Sequence, residues 1–304
     1  MPSDGPLYQM LRIRMVEERI ADLYPSDVIQ SPIHLSIGQE AVAVGVCAHL
    51  KPTDLLFATC RGHAWYLAKG GDLRQMMAEL YGKATGCAHG KGGSMHLCAP
   101  EVGFMGTSAI VASTIPHAVG AALAAKRRGS NDLVVAVFGD GAADAGVLHE
   151  SLNFAALHSL PVIFVCEDNG LAVHSPKSAR QAFSLDQLPK AYGLGVHRVW
   201  HGSDGWDVAR NMGYAVNQVR QAPQFVLVPT YRYREHVGPG QDHDAGYRAP
   251  AELDYWQAHD PLLRLPPSTL ADFRVEIKAE IDDAVRYAEE SPWPKYYEIL
   301  ENVT

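Results

Sequence analysis

Two runs of apolar residues stand out in the hydrophobic pattern near the middle of the chain. They extend from Leu133 to Phe138 and from Pro161 to Glu167, and both are nearly continuous and rich in β-branched residues. Such runs are typical of strands buried on both faces of a parallel sheet. Between them, apolar positions three or four residues apart predict a helix from Gly141 to about Leu157. In a strand–helix–strand unit, the carboxyl ends of both strands lie at the same edge of the sheet.

Further periodic segments surround this unit, with no internal repeat and no linker between them. The predicted helices are Leu7 to Tyr24, Gly38 to Leu50, a helix capped by Asp72 that stops at Gly82, Ser113 to Arg127, and a long helix capped by Ser268. The predicted strands are Leu55 to Thr59, Val196 to Trp200 and Phe225 to Pro229. The fold class that follows is α/β: a parallel sheet flanked by helices on both faces. We expect one domain over residues 1–304, with an N-terminal helix and a C-terminal helical extension.

Polar residues follow both central strands. Gly139, Asp140 and Gly141 come directly after the first strand, and Asn169 lies just past the second. The glycines allow a sharp turn and a close approach of the backbone to a ligand. Asp140 and Asn169 are therefore expected to converge beside a helix N-terminus. A divalent cation with oxygen ligands can hold a phosphorylated cofactor at such a point.

Two other phosphate motifs do not fit this segment. A Walker loop needs a lysine followed by serine or threonine, and the stretch from Ala142 to Gly146 has neither. A dinucleotide fingerprint needs three spaced glycines, whereas only Gly139 and Gly141 are present, with Asp140 between them to repel a diphosphate. An ordinary strand-to-helix turn remains the alternative for the triplet alone. Asn169 beyond the second strand favours the metal–diphosphate interpretation.

Taken with its surroundings, this motif resembles the thiamine-diphosphate signature of a known family. The family is the α chains of the 2-oxo acid dehydrogenases, of the pyruvate, branched-chain and acetoin dehydrogenase type. The resemblance covers nearly the whole chain, and its other motifs are His34 to Ala41, Arg61 to His63, Gly90 to His96, Thr230 to Arg232, and Ser291 to Pro294. It implies the thiamine-diphosphate-binding fold, with thiamine diphosphate and Mg²⁺ as cofactors.

The resemblance also assigns individual residues to the cofactor. It implies that Mg²⁺ binds Asp140, Asn169 and the carbonyl oxygen of Leu171. The residues implied to bind the cofactor as a whole are Arg61, Ile110, Val111, Gly139, Asp140, Gly141, Ala142, Asn169, Leu171 and His236. The histidines implied to move protons near the thiazolium are His34, His63 and His236.

In this family, a β chain supplies the glutamate that activates the cofactor. Glu150 matches a family glutamate near the subunit contact, so it is not assigned that role. The resemblance therefore implies a separate β subunit, in an assembly of two α with two β chains. A lipoyl acyltransferase is a further candidate partner.

The function implied by the resemblance is decarboxylation of a 2-oxo acid with transfer of the acyl group. The first alternative is an acyloin- or ketol-transferring enzyme of the transketolase-like or acetoin-cleaving kind. The second is an inactive scaffold subunit. The intact Asp140, Asn169, Arg61 and His236 argue against the scaffold.

The segment around His236 departs from the family pattern. Arg234-Glu235-His236-Val237 stands where mitochondrial members carry His-Gly-His-Ser, and Val237 in place of the regulatory serine excludes kinase control at that position. Arg234 and Glu235 are expected to add charge beside the substrate entrance. This charge weakens the case for a small apolar 2-oxo acid and for docking of a lipoyl domain, and it leaves open a carboligase or transketolase-like enzyme that acts on a sugar or another polar carbonyl compound. The stretch from Arg234 to Pro250 shows no periodicity. We expect cofactor binding at His236 to order it as a gate over the substrate channel.

Composition narrows the remaining choices. The net charge is −8 and no run is rich in Lys or Arg, which excludes nucleic acid and anionic membranes as expected partners. No apolar run approaches a membrane span, and the first predicted helix leaves no room for a signal peptide. The five cysteines are odd in number and scattered, which predicts a reduced, cytoplasmic protein.

One cysteine cluster is a candidate for zinc. Cys87, His89, His96 and Cys98 supply four possible ligands, but the Cys-x-His pairs are tighter than the spacing of known structural sites. We expect no zinc there.

Overall fold

The computed structural model describes residues 5–301, and a parallel sheet lies at their centre. The strands are β1 (Leu55–Phe57), β2 (Phe104–Gly106), β3 (Val134–Gly139), β4 (Val162–Asp168), β5 (Leu171–Ala172), β6 (Ser175–Pro176), β7 (Gly195–Arg198) and β8 (Gln224–Pro229). Six of them form one sheet in the order β2-β1-β3-β4-β8-β7, with every neighbouring pair parallel. The other two, β5 and β6, form a short antiparallel hairpin.

Helices connect these strands and cover the sheet. They are α1 (Pro6–Leu23), α2 (Glu40–Cys47), α3 (His63–Ala68), α4 (Leu73–Leu80), α5 (Thr114–Arg128), α6 (Gly146–Leu157), α7 (Leu188–Ala191), α8 (Gly205–Gln218), α9 (Pro250–His259), α10 (Pro261–Arg264) and α11 (Ala271–Glu290). Within residues 5–301, no helix is both long and apolar enough to span a membrane.

The central strands bury both of their faces, because successive side chains point to opposite sides of a sheet. In β3, Val135 and Val137 join a core formed with α1 to α4, α8 and α11. Val134, Ala136 and Phe138 join a second core, formed with α5 and α6. The predicted α/β architecture, with helices on both faces of a parallel sheet, is confirmed.

The turn after β3 differs from the prediction. The helix expected from Gly141 begins only at Gly146, and a 3-10 turn, Asp140–Asp144, precedes it. The carbonyl oxygen of Asp140 accepts hydrogen bonds from Arg180 Nη1 at 3.2 Å and from Gln181 Nε2 at 2.8 Å. Since an α-helix uses each carbonyl for the N–H four residues later, these side chains compete with an α-helical start at Asp140.

Two predicted helix caps have different outcomes. Asp72 caps α4, since its carboxylate accepts a hydrogen bond from the backbone N–H of Gln75 at 2.9 Å. Ser268 does not cap α11. It lies inside a 3-10 turn, Pro267–Leu270, and the residue before the helix, Leu270, makes no side-chain cap.

The register of the sheet places the predicted site. Gly139 pairs with Glu167 across β3 and β4, so Asp140 and Asn169 both follow the carboxyl ends of adjacent parallel strands. The next strand, β8, ends at Pro229 and leads into the segment that carries His236. Three chain segments therefore reach the same edge of the sheet.

Candidate functional site

A cavity of about 240 Å³ opens at this edge of the sheet. It is lined by all ten predicted cofactor-binding residues, which are Arg61, Ile110, Val111, Gly139, Asp140, Gly141, Ala142, Asn169, Leu171 and His236. His34 lines it as well, whereas His63 does not. Residues separated by up to two hundred positions in the sequence thus surround one space.

Oxygen atoms suited to a cation lie at one end of the cavity. Asp140 is buried, and its Oδ1 has no hydrogen-bond partner among the described residues, while its Oδ2 accepts from Arg180. Burial and the neighbouring Asp168 raise the pKa of Asp140, and the Arg180 guanidinium opposes this shift. Asn169 and the backbone of Leu171 line the same end. A carboxylate, an amide oxygen and a carbonyl oxygen are the hard donors that Mg²⁺ prefers, so this set fits that cation.

Gly141 is needed for a contact within the protein. A Cβ atom at this position would lie 2.8 Å from the Cβ of Ala172, in the β5–β6 hairpin. The glycine therefore lets the turn after β3 pack directly against the hairpin that carries Leu171. The predicted approach of Gly141 to a ligand stays a prediction, and Gly141 also lines the cavity.

An unmatched positive charge lies at the other end of the cavity. Arg61 is buried, and its guanidinium donates to the carbonyl oxygens of Leu35 and of His236, the latter at 3.2 Å. Among residues 5–301 it forms no salt bridge with a carboxylate. Burial lowers the pKa of Arg61 from its ordinary value, and an arginine still stays charged at neutral pH. A buried guanidinium with only neutral partners favours an anion in the cavity.

The two cavity histidines are uncharged at neutral pH. Burial, with a further contribution from the nearby Arg61, lowers the pKa of His34 to about 3 and that of His236 to about 4. Each ring therefore offers one nitrogen that donates and one that accepts. Such a ring can take up a proton once an anion enters the cavity and offsets the charge of Arg61.

His63 is placed differently from its prediction. It is fully buried at the start of α3, with Nδ1 3.2 Å from Glu17 Oε1 and Nε2 2.8 Å from Ser94 Oγ. Both ring nitrogens are thus engaged inside the protein, and the structure does not bring His63 to the cavity. Its contacts join α1, α3 and the glycine-rich segment around Ser94.

The segment after β8 is held by a buried charge cluster. Asp242 accepts hydrogen bonds from Arg232 Nη1 at 2.6 Å and from Arg248 Nη1 at 2.7 Å, and all three side chains are buried. The guanidinium of Arg248 also lies 3.9 Å from the ring centre of Tyr231. The expectation that cofactor binding orders this segment stays a prediction. The paired charges of Asp242, Arg232 and Arg248 are a second source of order within the chain.

Arg234 and Glu235 do not reach the cavity. Arg234 Nη1 donates to the carbonyl of Pro239 at 2.9 Å, and Glu235 Oε1 accepts from the N–H of Gly240 at 2.7 Å. Neither residue lines the cavity. The charged side chains of Arg234 and Glu235 instead bind backbone groups of their own loop.

The residues considered for zinc make separate contacts. Cys98 Sγ lies 3.4 Å from the carbonyl oxygen of Cys87, His89 contacts the carbonyl of Ala84, and His96 that of Gly92. Across residues 5–301, no group of three or more His, Cys, Asp or Glu side chains is arranged to hold a metal ion.

Several functional neighbours were not predicted. Arg180 contacts Asp140, and Gln39 accepts a hydrogen bond from Asn169 Nδ2 at 3.0 Å. Gln39 in turn contacts Glu167, whose pKa burial raises to about 7. Gln39 lies inside the motif from His34 to Ala41, which was the one available signal. Arg180 lies in no motif.

Comparison with known proteins gives matches over nearly the whole chain. The family described as "Dehydrogenase E1 component" matches residues 8–296. The α subunit of acetoin:2,6-dichlorophenolindophenol oxidoreductase from Bacillus subtilis is 38% identical over 98% of this chain and 92% of its own length. The pyruvate dehydrogenase E1 component subunit alpha of Zymomonas mobilis is 38% identical, over 97% and 86%. The human somatic mitochondrial form is 34% identical, over 98% and 78%.

Proposed function

This chain belongs to the dehydrogenase E1 component family, and we propose that it is the α subunit of a thiamine-diphosphate-dependent enzyme. In this proposal it binds the diphosphate–Mg²⁺ end of the cofactor, and a separate β subunit completes the active site. The predicted family is confirmed, since the match covers residues 8–296 and relatives at 38% identity span almost the whole chain.

One observation carries the proposal. The cavity is lined by a buried cation without a carboxylate partner, Arg61, and by an unpartnered buried carboxylate oxygen, Asp140 Oδ1. A Mg²⁺-bound diphosphate presents the complementary pair, with phosphate oxygens for the guanidinium and a cation for the carboxylate. A neutral ligand would leave the Arg61 charge without an oppositely charged partner and Asp140 Oδ1 without a ligand.

The chain's own residues bind, orient and exchange protons. Asp140, Asn169 and the carbonyl of Leu171 would hold Mg²⁺, and Arg61 would hold phosphate oxygens. Thiamine diphosphate, when bound, supplies an electron sink for cleavage of a bond next to a carbonyl group. His34 and His236 are neutral at pH 7, so in this site each accepts or donates a proton through a ring nitrogen that faces the cavity.

The walls between the two ends favour a small substrate. Met95, Ile110, Val111 and Val173 line the cavity, and Arg234 and Glu235 do not. This lining supports a small 2-oxo acid or acyloin over a sugar. We propose decarboxylation of a 2-oxo acid with acyl transfer as the reaction. Cleavage of an acyloin is the second candidate, because the acetoin-linked relative matches 98% of this chain and 92% of its own length.

A β subunit accounts for two features of the cavity. Asp140 is the one acidic side chain that lines it among residues 5–301, so no glutamate of this part of the chain reaches the cofactor. Ile110 and Val111 are 71% and 69% exposed at its rim, where a partner chain would cover them. We place the assembly at two α with two β chains. A lipoyl acyltransferase would be the acyl acceptor, and the location would be the cytoplasm.

The test is reconstitution with the β subunit. The co-purified complex is titrated with thiamine diphosphate in the presence and absence of Mg²⁺, and then assayed with pyruvate, branched-chain 2-oxo acids, acetoin and ketoses. We expect Mg²⁺-dependent binding, and turnover with a 2-oxo acid or acetoin. A complex that binds no thiamine diphosphate would overturn the cofactor assignment. Turnover confined to ketoses would overturn the substrate class.

A further inference from the structure

A buried chain of hydrogen bonds runs from α3 to Asn169. Trp65 Nε1 donates to Glu167 Oε2 at 3.1 Å, and Gln39 Nε2 donates to Glu167 Oε1 at 3.4 Å. Asn169 Nδ2 donates to Gln39 Oε1 at 3.0 Å, and Asn169 Oδ1 accepts from the N–H of Leu171 at 3.1 Å. Trp65, Gln39 and Glu167 are all less than 5% exposed.

The chain of hydrogen bonds has a fixed order of donors and acceptors. Both carboxylate oxygens of Glu167 accept hydrogen bonds, one from Trp65 and one from Gln39, so Gln39 turns its NH₂ group towards Glu167. The side-chain oxygen of Gln39 then faces Asn169, so Asn169 must donate a hydrogen bond to it from its own NH₂ group. Each amide has one donor side and one acceptor side, so the orientation of the first determines that of the second.

The orientation of the Asn169 side-chain amide matters because its oxygen and its nitrogen differ in chemistry and hardly in shape. The oxygen and nitrogen of an amide have nearly the same shape, so packing alone distinguishes them poorly. Mg²⁺ binds the oxygen and not the nitrogen. An Asn169 turned the other way would present a donor to the cation and to the N–H of Leu171 at the same time.

We propose that Glu167 is a positioning residue that acts through Gln39 to hold the oxygen of Asn169 towards the metal end of the cavity. This inference rests on the proposed function, because it takes the metal end as the Mg²⁺ site. It adds Glu167 and Gln39 to the site as residues that touch neither metal nor cofactor, whereas Trp65 only contacts Glu167. Partners of this kind fix the geometry of metal ligands in many proteins.

An isosteric substitution reverses the order of donors and acceptors along this chain of hydrogen bonds. In Glu167→Gln, the single remaining oxygen is claimed by the indole N–H of Trp65, so the new NH₂ group faces Gln39. Gln39 must then turn its oxygen inward and its NH₂ group towards Asn169, which reverses the second amide as well. Trp65→Phe removes the indole donor. In the double variant the oxygen of the new glutamine is free to face Gln39, and the native direction returns.

The experiment measures the affinity of the α–β complex for thiamine diphosphate by calorimetry, at fixed Mg²⁺ and fixed pH. Wild type, Glu167→Gln, Trp65→Phe and the double variant are compared. We expect Glu167→Gln to weaken binding by roughly 10- to 100-fold, as is typical for partners of metal ligands. Trp65→Phe alone should change it little, and the double variant should recover most of the loss.

The melting temperature without cofactor separates positioning from general stability. The double variant loses one more buried hydrogen bond than Glu167→Gln, so it should be no more stable, yet it should bind the cofactor more tightly. Equal affinity of wild type and Glu167→Gln, or no recovery in the double variant, would overturn the proposal.

A second variant keeps the test informative if Glu167→Gln does not fold. Gln39→Leu removes the middle of the chain, and it should weaken binding to a similar extent. Trp65→Phe should not rescue it. Unchanged affinity in Gln39→Leu would also overturn the proposal. If the wild-type complex binds no thiamine diphosphate with Mg²⁺, the proposed function itself fails, and this outcome is distinct from the others.

Discussion

His34 and His236 pack edge to face in the cavity lining, with ring centres 5.1 Å apart and ring planes at 85°. The first comes from the segment before α2 and the second from the segment after β8, so two distant parts of the chain meet here. Both rings lie close to the buried Arg61, whose charge and whose surroundings disfavour a second cation. Both histidines are therefore uncharged in the folded chain at neutral pH.

The first prediction concerns acid stability. In the unfolded chain these histidines take up protons below about pH 6.5, whereas in the folded chain they do so only near pH 4 and pH 3. The unfolded state thus binds more protons in this window, and the free energy of unfolding must fall as the pH drops from about 6.5 towards 4. Urea unfolding of the cofactor-free chain at several pH values measures this slope.

Substitution isolates the contribution of the pair. His34→Gln removes one titrating group, so the loss of stability between pH 7 and pH 5 should be smaller than in wild type. His117→Gln provides the control, because His117 is exposed on α5 and should leave the slope unchanged. Identical slopes in wild type and His34→Gln would show that His34 titrates normally in the folded chain.

The second prediction concerns the metal ligands. Asp140→Asn replaces the unpartnered carboxylate oxygen by a neutral group, so Mg²⁺-dependent binding of thiamine diphosphate should be lost. The loss should exceed the roughly 10- to 100-fold produced by changes around a metal ligand. Asp144→Asn is the matched control, since Asp144 also contacts Arg180 but does not line the cavity. Calorimetry on the α–β complex should show near-native affinity for the control.

Unchanged affinity in Asp140→Asn would contradict the metal assignment. A similar loss in both variants would mean that charge around Arg180, and not a ligand at Asp140, controls binding.

The central strands and the polar residues at their ends could be predicted because both signals are local. An apolar run of six or seven residues and the turn residues behind it lie together in the sequence, and parallel strands bring their ends to one edge. These two signals were sufficient to predict that Asp140 and Asn169 lie close together. The partners of these residues could not be predicted, because Arg180 is 40 positions from Asp140 and Gln39 is 130 positions from Asn169.

His63 shows a different limit of prediction from the sequence. It stands two positions from Arg61 in one motif, and sequence proximity suggested a shared site. The start of α3 at His63 turns its side chain towards Glu17 and Ser94, away from the cavity that Arg61 lines. A motif therefore indicated which residues matter without showing which of them face the same space.

The third prediction concerns assembly. Because no glutamate among residues 5–301 lines the cavity, the α chain alone should turn over its substrate at least about 100-fold more slowly than the complex, the scale of a missing acid–base group. Steady-state assays of the isolated chain, with thiamine diphosphate and Mg²⁺ in excess, measure this directly. Adding purified β subunit should restore activity in proportion to complex formed. Full turnover without the β subunit would mean that the activating group lies on this chain.

The last prediction concerns the charge cluster around Asp242. Asp242→Asn leaves Arg232 and Arg248 buried without their carboxylate, and breaking one partner of a buried pair typically costs about 3–5 kcal/mol. The destabilisation should be local to the segment from 236 to 248, so its amide hydrogens should exchange faster. Asp244→Asn is the control. Asp244 is exposed in the same segment, and its substitution should change the unfolding free energy by no more than about 0.5 kcal/mol.

The same measurement decides what orders this segment. Since Asp242 pairs with two buried arginines of the chain itself, thiamine diphosphate and Mg²⁺ should change hydrogen exchange little in wild type beyond His236 itself. In Asp242→Asn they should restore protection, because His236 gains a phosphate anchor when the internal one is lost. Strong cofactor-dependent protection in wild type would show instead that the charge cluster is too weak to hold the segment, and that ligand binding closes it over the cavity.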